Sequence, residues 1–191
     1  QDTEAFIAAM HKNASFRAPM VAKALDLNEA KRMLDIGGGS GAYSIAFARA
    51  NANIRAEIFD LPGVLPLTQK YIRESGLEDR ITTRGGDMLA DDLGTGFDLV
   101  LISAICHMFS PEENIQLFRR IFKTLAAGGQ IVMQDFVMSS DKTSPLSGAM
   151  FAINMLVATR SGSTYSEDEY RAWLSAAGFV ALNGTDCYVG E

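Results

Sequence analysis

Three glycines follow the first apolar strand of the sequence and form a turn suited to binding a small ligand. Residues 32–36 read as a buried strand, glycines occupy positions 37–39, and a helical pattern begins at Ala42. Glycine adopts backbone conformations closed to other residues and lets the chain approach a ligand closely. The free N–H groups of the following helix suit an anionic group, and Asp35 can accept hydrogen bonds from the ligand. The pattern predicts the nucleotide-type crevice of an open α/β sheet.

More than one kind of ligand fits this turn. The pattern Asp-x-Gly-x-Gly-x-Gly that starts at Asp35 resembles the first motif of class I methyltransferases, which use S-adenosylmethionine (SAM). A dinucleotide fingerprint also fits loosely, with Gly37, Gly39 and Ala42 in its glycine positions. A glycine turn that binds nothing is the third interpretation, and this stretch alone leaves all three open.

Acidic residues follow the second and third strands. Asp60 lies about 20 residues beyond the glycine turn, where a carboxylate can bind both hydroxyls of a ribose. Asp87 could accept a hydrogen bond from an adenine amino group, and the polarisable thioether of Met88 could cover the ring. In the absence of a ligand, Asp60 would be a solvated loop acid, and Asp87 would form a turn beside a core methionine.

His107 is the strongest candidate for a catalytic base. It follows the fourth strand, at the carboxyl edge where open α/β sheets place their ligands. An imidazole with a pKa of about 6.5 is largely neutral at pH 7 and can take a proton from a phenol, which ionises only at about pH 10. Asp135 ends the fifth strand and could orient the imidazole, as a carboxylate does in a catalytic triad. The alternative is a structural histidine that binds a loop carbonyl, with an acid that only marks a strand end.

A helix rich in Met and Phe follows the fifth strand. Five of its residues lie at helical spacing and could line a pocket for an aromatic acceptor: Met150, Phe151, Asn154, Met155 and Thr159. Such a stripe is equally compatible with plain core packing. We expect Cys106 to be a packing residue. We expect His11, the only other histidine, to be exposed on the first helix.

Alternating strands and helices predict the elements that would position these residues. The alternation predicts a parallel, right-handed βαβ architecture. Strands are predicted at 32–36, 54–60, 81–84, 97–102, 130–138, 179–182 and 187–189. Helices are predicted at residues 2–12, 19–27, 65–74, 147–159 and 166–177. Two more are predicted, one that starts at Ala42 and one that runs from Ser110 to the glycines at 128–129. We predict a helical lead-in over residues 1–30 and one α/β domain over residues 31–191, which the resemblance described below makes a SAM-binding methyltransferase domain.

Composition limits the class of protein. The 191 residues suit one domain, and the net charge of −6 argues against a nucleic-acid surface. Two cysteines are too few for a disulfide framework or a zinc site and favour a reducing cytoplasm. No apolar run is long enough to cross a membrane. The first residue is Gln1 rather than Met, which favours a fragment of a longer protein.

Several stretches, taken in order, resemble the plant-type small-molecule O-methyltransferases, the family of caffeate and hydroxyindole O-methyltransferases and their bacterial relatives. The resemblance covers nearly the whole chain from about Ala14 on. It rests on Leu34 to Gly41, Phe59-Asp60-Leu61-Pro62, Gly86-Asp87-Met88, Ile105-Cys106-His107, Gly128-Gly129 and Ala177-Gly178-Phe179. The Phe-Asp-Leu-Pro phrase is much more specific than the glycine turn and favours SAM as the ligand.

The resemblance implies a fold and a cofactor. The fold would be the Rossmann-like class I SAM methyltransferase fold, with a seven-stranded, mostly parallel sheet whose last strand is antiparallel. The cofactor would be SAM, with S-adenosylhomocysteine (SAH) as product. Its binding residues would be Asp35, Gly37, Gly39, Asp60, Leu61, Asp87, Met88 and Ser103.

The resemblance also implies a chemistry and partners. His107 would be the catalytic base and Asp135 its flanking carboxylate, with no metal. The acceptor would be a phenolic or hydroxylated small molecule, and no nucleic acid or membrane is implied. From their helical spacing, we expect Met150, Asn154 and Met155 to contact this acceptor. An N-terminal winged-helix domain builds a homodimer in this family, and we expect that domain to lie outside this chain.

Three departures from the family pattern surround the candidate base. The plant pattern His-Asp-Trp becomes His107-Met108-Phe109, Ser103 replaces a lysine, and Thr164 replaces a second flanking carboxylate. These changes keep open a SAM-binding protein that has lost methyl transfer. Methylation of nitrogen or carbon also stays open, as does a nicotinamide-dependent oxidoreductase, which rests on the loose glycine match alone.

Overall fold

A computed structural model describes residues 3–180 of the chain. Within them the chain divides into two compact units. The first unit comprises residues 3–101 and 125–132, and the second comprises residues 102–124 and 133–180.

The first unit contains the helices and parallel strands that carry the glycine turn. Its elements are α1 (Thr3–Ala24), β1 (Arg32–Ile36), α2 (Ala42–Ala50), β2 (Arg55–Asp60), α3 (Leu65–Ser75) and β3 (Ile81–Gly85), with most of β4 (Phe97–Ser103) and of β5 (Leu125–Gln134). The strand order is β3-β2-β1-β4-β5. Strand β2 pairs in parallel with β1 and with β3, with Asp35 opposite Ile58 and Asp60 opposite Gly85. Parallel pairing joined by helices confirms the α/β expectation.

Apolar side chains from both faces of the strands form the core of this unit. Strands β1 and β2 read as near-continuous buried runs, as expected for a parallel sheet covered on both faces. The core includes Met33, Ile45, Phe47, Ile54, Ile58 and Leu101. The loops that follow β1 and β2 are therefore anchored on buried, well-packed strands.

The first helix differs from the sequence prediction. Two helices were expected, at residues 2–12 and 19–27, but α1 is continuous and contains Pro19 in its interior. Proline removes a backbone donor and disfavours a helix interior. Ala18, Val21 and Ala22 are buried in the core around it, and we infer that this packing outweighs the local cost.

The second unit carries the candidate base. It contains a short 3-10 turn (Cys106–Met108), α4 (Pro111–Thr124), β6 (Val137–Met138), α5 (Leu146–Ala158), β7 (Tyr165–Ser166) and α6 (Glu167–Ala177). Strands β6 and β7 pair in parallel, and α4 packs against α6. The predicted capping box of α6 is present, since Ser166 and Glu169 bond reciprocally and Gly178 ends the helix.

The fifth strand and its preceding helix have other bounds than predicted. Helix α4 ends at Thr124 rather than at the glycine pair, and β5 begins at Leu125. The strand expected over residues 130–138 ends at Gln134, and Val137 and Met138 form a separate strand. The side chain of Asp135 lies at this break and accepts a hydrogen bond from the backbone N–H of Phe136.

The predicted closing strands, 179–182 and 187–189, lie outside the described residues except for Phe179 and Val180, which are not in a strand. The seventh, antiparallel strand therefore stays a prediction. Among residues 3–180, no helix is long and apolar enough to cross a membrane.

Candidate active site

The glycine turn of the first unit has the geometry that its sequence predicts. Gly37, Gly39 and Gly41 have φ values of 67°, 55° and 78°, which only glycine adopts without strain. Between them, a Cβ on Gly38 would lie 2.8 Å from Cγ of Asp35. Gly41 is also the N-cap of α2. The turn therefore requires glycine both for conformation and for space.

Asp35 lies beneath the turn rather than on its surface. The residue is 1% exposed, and its Oδ2 accepts a hydrogen bond of 2.7 Å from the hydroxyl of Ser44. The pKa of Asp35 is raised to about 7, mainly by burial and also by the nearby charge of Asp60, although the hydrogen bonds from Ser44 lower it. A cationic ligand group near this carboxyl would favour its ionised form.

Asp60 links the end of β2 to the same turn. Its Oδ2 accepts a hydrogen bond of 2.8 Å from the backbone N–H of Gly39, and its Oδ1 accepts one of 2.7 Å from Leu61. Burial raises the pKa of Asp60, and these two backbone bonds oppose that rise. The structure thus brings Asp35, Asp60 and the glycines together, with Leu61 beside them.

Asp87 and Met88 follow β3. The backbone N–H of Gly86 donates to the carbonyl of Asp60 at 3.0 Å, so this segment adjoins the end of β2. Oδ1 of Asp87 accepts a hydrogen bond from the backbone N–H of Leu89 at 2.8 Å, which is the turn-forming role expected of Asp87 in the absence of a ligand. Asp87 is exposed and Met88 is half-buried.

The second unit places His107 against Asp135, as predicted from the two strand ends. Nδ1 of His107 lies 2.6 Å from Oδ1 of Asp135, and the backbone N–H of His107 donates to Oδ2 at 3.2 Å. The Asp135 side chain is 0% exposed, against 9% for His107. An ionised carboxylate can only accept hydrogen bonds, so the ring atom that faces Asp135 must donate one. We therefore assign the ring proton of His107 to Nδ1, which leaves Nε2 as the basic atom.

Aromatic rings surround the imidazole. The ring of Phe151 meets it edge-on, with centroids 4.8 Å apart, and that of Phe136 meets it at 5.9 Å. Phe136 and Phe151 stack on each other at 3.9 Å. Phe151 was predicted from the sequence as a pocket residue, whereas Phe136 was missed. The only signal for Phe136 was its place next to Asp135.

The other predicted substrate residues lie on α5 with Phe151. Met150 and Asn154 are exposed, whereas Met155 is buried. The exposure of Met150 and Asn154 is compatible with a place in a pocket wall, whereas the burial of Met155 is compatible with core packing. Contact of these three residues with an acceptor stays a prediction.

Residues at the family departures have clear local roles. The hydroxyl of Ser103 donates to the side chain of Gln134 at 2.7 Å. Thr164 is buried, and the neighbouring Ser163 N–H donates to the carbonyl of His107 at 2.9 Å. A Cβ on Gly162 would collide with that same carbonyl, a contact that nothing in the sequence indicated.

The thiol of Cys106 is buried, and burial together with the charge of Asp135 raises its pKa well above the ordinary value. This supports its interpretation as a packing residue, because a reactive cysteine needs an accessible thiolate. Within residues 3–180, no cluster of three His, Cys, Asp or Glu side chains could hold a metal ion.

Comparison with known proteins decides the family. The sequence profile of the O-methyltransferase domain matches residues 1–180. The chain belongs to this family. It is 34% identical over 180 residues to an L-tyrosine C(3)-methyltransferase from Streptomyces lavendulae, covering 94% of this chain and 49% of that protein. It is 33% identical to a 3-hydroxy-5-methyl-1-naphthoate 3-O-methyltransferase from Streptomyces sahachiroi, covering 92% and 50%.

Solved structures agree with this assignment. Human N-acetylserotonin methyltransferase in complex with SAM superposes with a TM-score of 0.85 and 28% identity, covering 93% of this chain and 50% of that chain. The family is thus one of SAM-dependent methyltransferases with a Rossmann-like fold, as the sequence resemblance implied. The chain spans about half the length of the curated relatives that it matches.

Proposed function

We propose that the protein transfers a methyl group from SAM to a hydroxyl of a small aromatic metabolite, with His107 as general base. The observation that carries this proposal is the 2.6 Å contact between Nδ1 of His107 and Oδ1 of Asp135. It fixes the ring and leaves Nε2 to accept a proton. A phenol ionises only at about pH 10, so its methylation at neutral pH needs such a base.

The glycine turn of the first unit fits SAM better than a dinucleotide. Asp35 is buried at this turn, where its carboxyl would repel a pyrophosphate and attract a cationic nucleoside. Asp60 would bind a ribose in either kind of ligand. We propose that these two acids, with Gly37 and Gly39, hold the cofactor, and that Leu61, Asp87, Met88 and Ser103 add further contacts. SAM would supply a methyl group on a sulfonium, whose sulfur is a good leaving group because it departs as the neutral thioether of SAH.

The rings at His107 support an aromatic acceptor. Phe136 and Phe151 both lie within 6 Å of the imidazole, centroid to centroid, and aromatic faces and edges pack well on a planar substrate. The tyrosine, naphthoate and N-acetylserotonin named for the relatives are aromatic as well. Met150, Asn154 and Met155 are proposed as further acceptor contacts.

Methylation of carbon is the second candidate, because a relative at 34% identity is named for transfer to C3 of tyrosine. Removal of a phenolic proton raises the electron density on the ring carbons beside the hydroxyl as well as on the oxygen. The same base therefore serves both reactions, and the pose of the acceptor selects the product.

Loss of methyl transfer is the remaining alternative. Thr164 stands, buried, where the family pattern has a second carboxylate, and its neighbour Ser163 donates to the carbonyl of His107. Of the two flanking carboxylates of the family pattern, the chain thus has only Asp135. A protein that only binds SAM would show tight SAH binding and no turnover.

Homodimer assembly and a cytoplasmic location also stay predictions. In support of a partner, α5 exposes apolar side chains, with Leu146 at 74%, Leu156 at 78% and Val157 at 83%. Light scattering on the purified protein measures the assembly state.

The test of the function is an assay of the purified protein with methyl-labelled SAM and a panel of phenols. Each phenol is paired with its methyl ether, which has the same ring and no acidic proton. We expect label to enter phenols and not their ethers, and NMR of the product to place the new methyl on oxygen. Tight SAH binding with no product across the panel would contradict the proposed activity.

A further inference from the structure

His11 contacts the glycine turn directly. The sequence predicted an exposed histidine on the first helix, and this was wrong: His11 is half-buried, and its Nδ1 lies 2.8 Å from the hydroxyl oxygen of Ser40. Ser40 is the serine of the turn itself and is buried. This side-chain partner of Ser40 thus comes from a residue 29 positions earlier in the sequence.

Helix α3 holds the same turn and the same imidazole. The ring of Tyr71 stacks on His11 with centroids 3.8 Å apart and planes at 16°. One turn earlier on α3, the hydroxyl of Thr68 donates to the carbonyl of Gly39 at 2.5 Å. The aromatic stack thus joins two helices that each contact the glycine turn.

A second residue of α1, one helical turn before His11, lies near the glycine turn. Ile7 is buried, and its Cδ1 would lie 3.9 Å from a Cβ on Gly39. The φ of Gly39 is 55°, a conformation that the turn must hold while its N–H points to Asp60. Ile7 is apolar and makes no directional bond to the turn, whereas His11 adds a polar restraint from the same helix.

We propose that His11 is a positioning residue for the cofactor: its bond to Ser40, braced by the stack on Tyr71, orders the glycine turn before SAM binds. The inference rests on the proposed binding of SAM at this turn. His11 acts through Ser40 and touches no reacting atom, so it is not a catalytic residue.

The charge state of the imidazole fits this role. Burial lowers the pKa of His11, and the charge of Glu74 on α3 opposes that effect. A neutral ring stacks on Tyr71 without the cost of burying a charge. Lys23, Arg49 and Glu74 are the charged groups that line the groove of about 440 Å³ beside it.

Ordering the turn in advance would act on affinity and not on the chemical step. A loop that is already in its bound conformation loses less conformational entropy when the ligand arrives. One neutral hydrogen bond changes an equilibrium by roughly three- to tenfold. We therefore expect the SAM affinity to fall by about that factor when the bond is removed, with kcat unchanged.

The test distinguishes the effect of the hydrogen bond between His11 and Ser40 from that of the ring stack between His11 and Tyr71. His11→Phe keeps a ring on Tyr71 and removes the bond, whereas His11→Asn keeps a polar atom near the position of Nδ1. Ser15→Ala is the matched control, because Ser15 is exposed and contacts the other ring nitrogen of His11 at 3.2 Å. SAH affinity is measured by calorimetry, and hydrogen exchange of residues 37–41 is measured in the ligand-free protein.

We expect His11→Phe to weaken SAH binding roughly three- to tenfold. The variant should also raise the KM for SAM without changing the KM for the acceptor, and it should speed amide hydrogen exchange in the glycine turn. His11→Asn should recover much of the loss, and Ser15→Ala should match the wild type. Adding Ser40→Ala to His11→Phe should cause no further loss. Equal SAH affinity in wild type and His11→Phe, with unchanged exchange, would overturn the inference. If the wild-type protein itself fails to bind SAH, the proposed cofactor is wrong, and faster exchange in the variant then still tests the ordering of the turn.

Discussion

Nδ1 of His107 and Oδ1 of Asp135 lie 2.6 Å apart, and the same aspartate also accepts the backbone N–H of His107. By accepting these two hydrogen bonds, Asp135 holds both the imidazole ring and the 3-10 turn that carries His107. An imidazole held this way would accept a proton at Nε2 without reorienting, and the buried carboxylate would stabilise the resulting imidazolium, as the proposed general base requires.

Replacing Asp135 with asparagine tests that arrangement. The amide cannot favour the tautomer with the proton on Nδ1, so kcat should fall by about two to four orders of magnitude. SAH affinity should stay near that of the wild type. The control is Asp141→Asn, the same change at an exposed acid. A variant Asp135→Asn with wild-type kcat would remove Asp135 from its role.

The raised pKa of Asp35 predicts that cofactor binding is linked to protons. The carboxyl titrates at about pH 7 in the free protein, and a bound cation would favour its ionised form and lower that pKa. Binding at pH 6 should therefore release protons, and SAM affinity should rise from pH 5.5 to 7.5. Calorimetry in buffers of different ionisation enthalpy measures the release.

Asp35→Asn should remove this dependence, while the exposed Asp79→Asn should keep it. An affinity that is flat over this range in the wild type, or that falls with rising pH, would show that no cationic group of the cofactor approaches Asp35.

Asp35 also affects stability. Its folded pKa of about 7 lies above the ordinary value of 3.8, so the folded state binds more protons between these values. The free energy of unfolding contributed by this group should fall as pH rises from about 4 to 7, by at most about 4 kcal/mol. Urea denaturation at pH 5 and 7.5 should show that Asp35→Asn gains stability relative to the wild type at the higher pH. The opposite trend would mean that Asp35 is ionised in the folded protein.

Two glycines, Gly38 inside the glycine turn and Gly63 outside it, offer a matched pair of substitutions. Gly38→Ala would place a Cβ 2.8 Å from Cγ of Asp35 and 2.9 Å from Ile58. We expect a loss of roughly 1–3 kcal/mol in the free energy of unfolding and loss of SAH binding. At Gly63, nothing lies within 4 Å of the position that a Cβ would take, and Gly63→Ala should leave both properties near the wild type. Thermal melts and calorimetry compare the two; equal behaviour would show that the turn can relax.

The sequence was sufficient wherever a local pattern determines the structure. The glycine turn, the parallel strands and the capping box of Ser166 and Glu169 each follow from residues close together in the chain. The approach of His107 to Asp135 was also predictable, because both follow strands of one sheet. These features need only the type of the element and the place where it ends.

Other features depend on contacts between distant residues and were missed or wrong. The bond from His11 to Ser40 spans 29 residues, and nothing near His11 in the sequence indicates burial. Pro19 signals a helix start by itself, yet it lies inside α1 because the core packs around its neighbours. The contact of Gly162 with the His107 carbonyl likewise joins segments far apart in the chain.

The most direct test of the proposed chemistry is the turnover of His107→Ala and His107→Asn measured beside their SAH affinity. Asparagine keeps a polar group near Asp135 but supplies no base. We predict that kcat falls by about two to four orders of magnitude in both variants while SAH affinity stays near that of the wild type. Wild-type turnover in either variant would contradict the assignment of His107 as the general base.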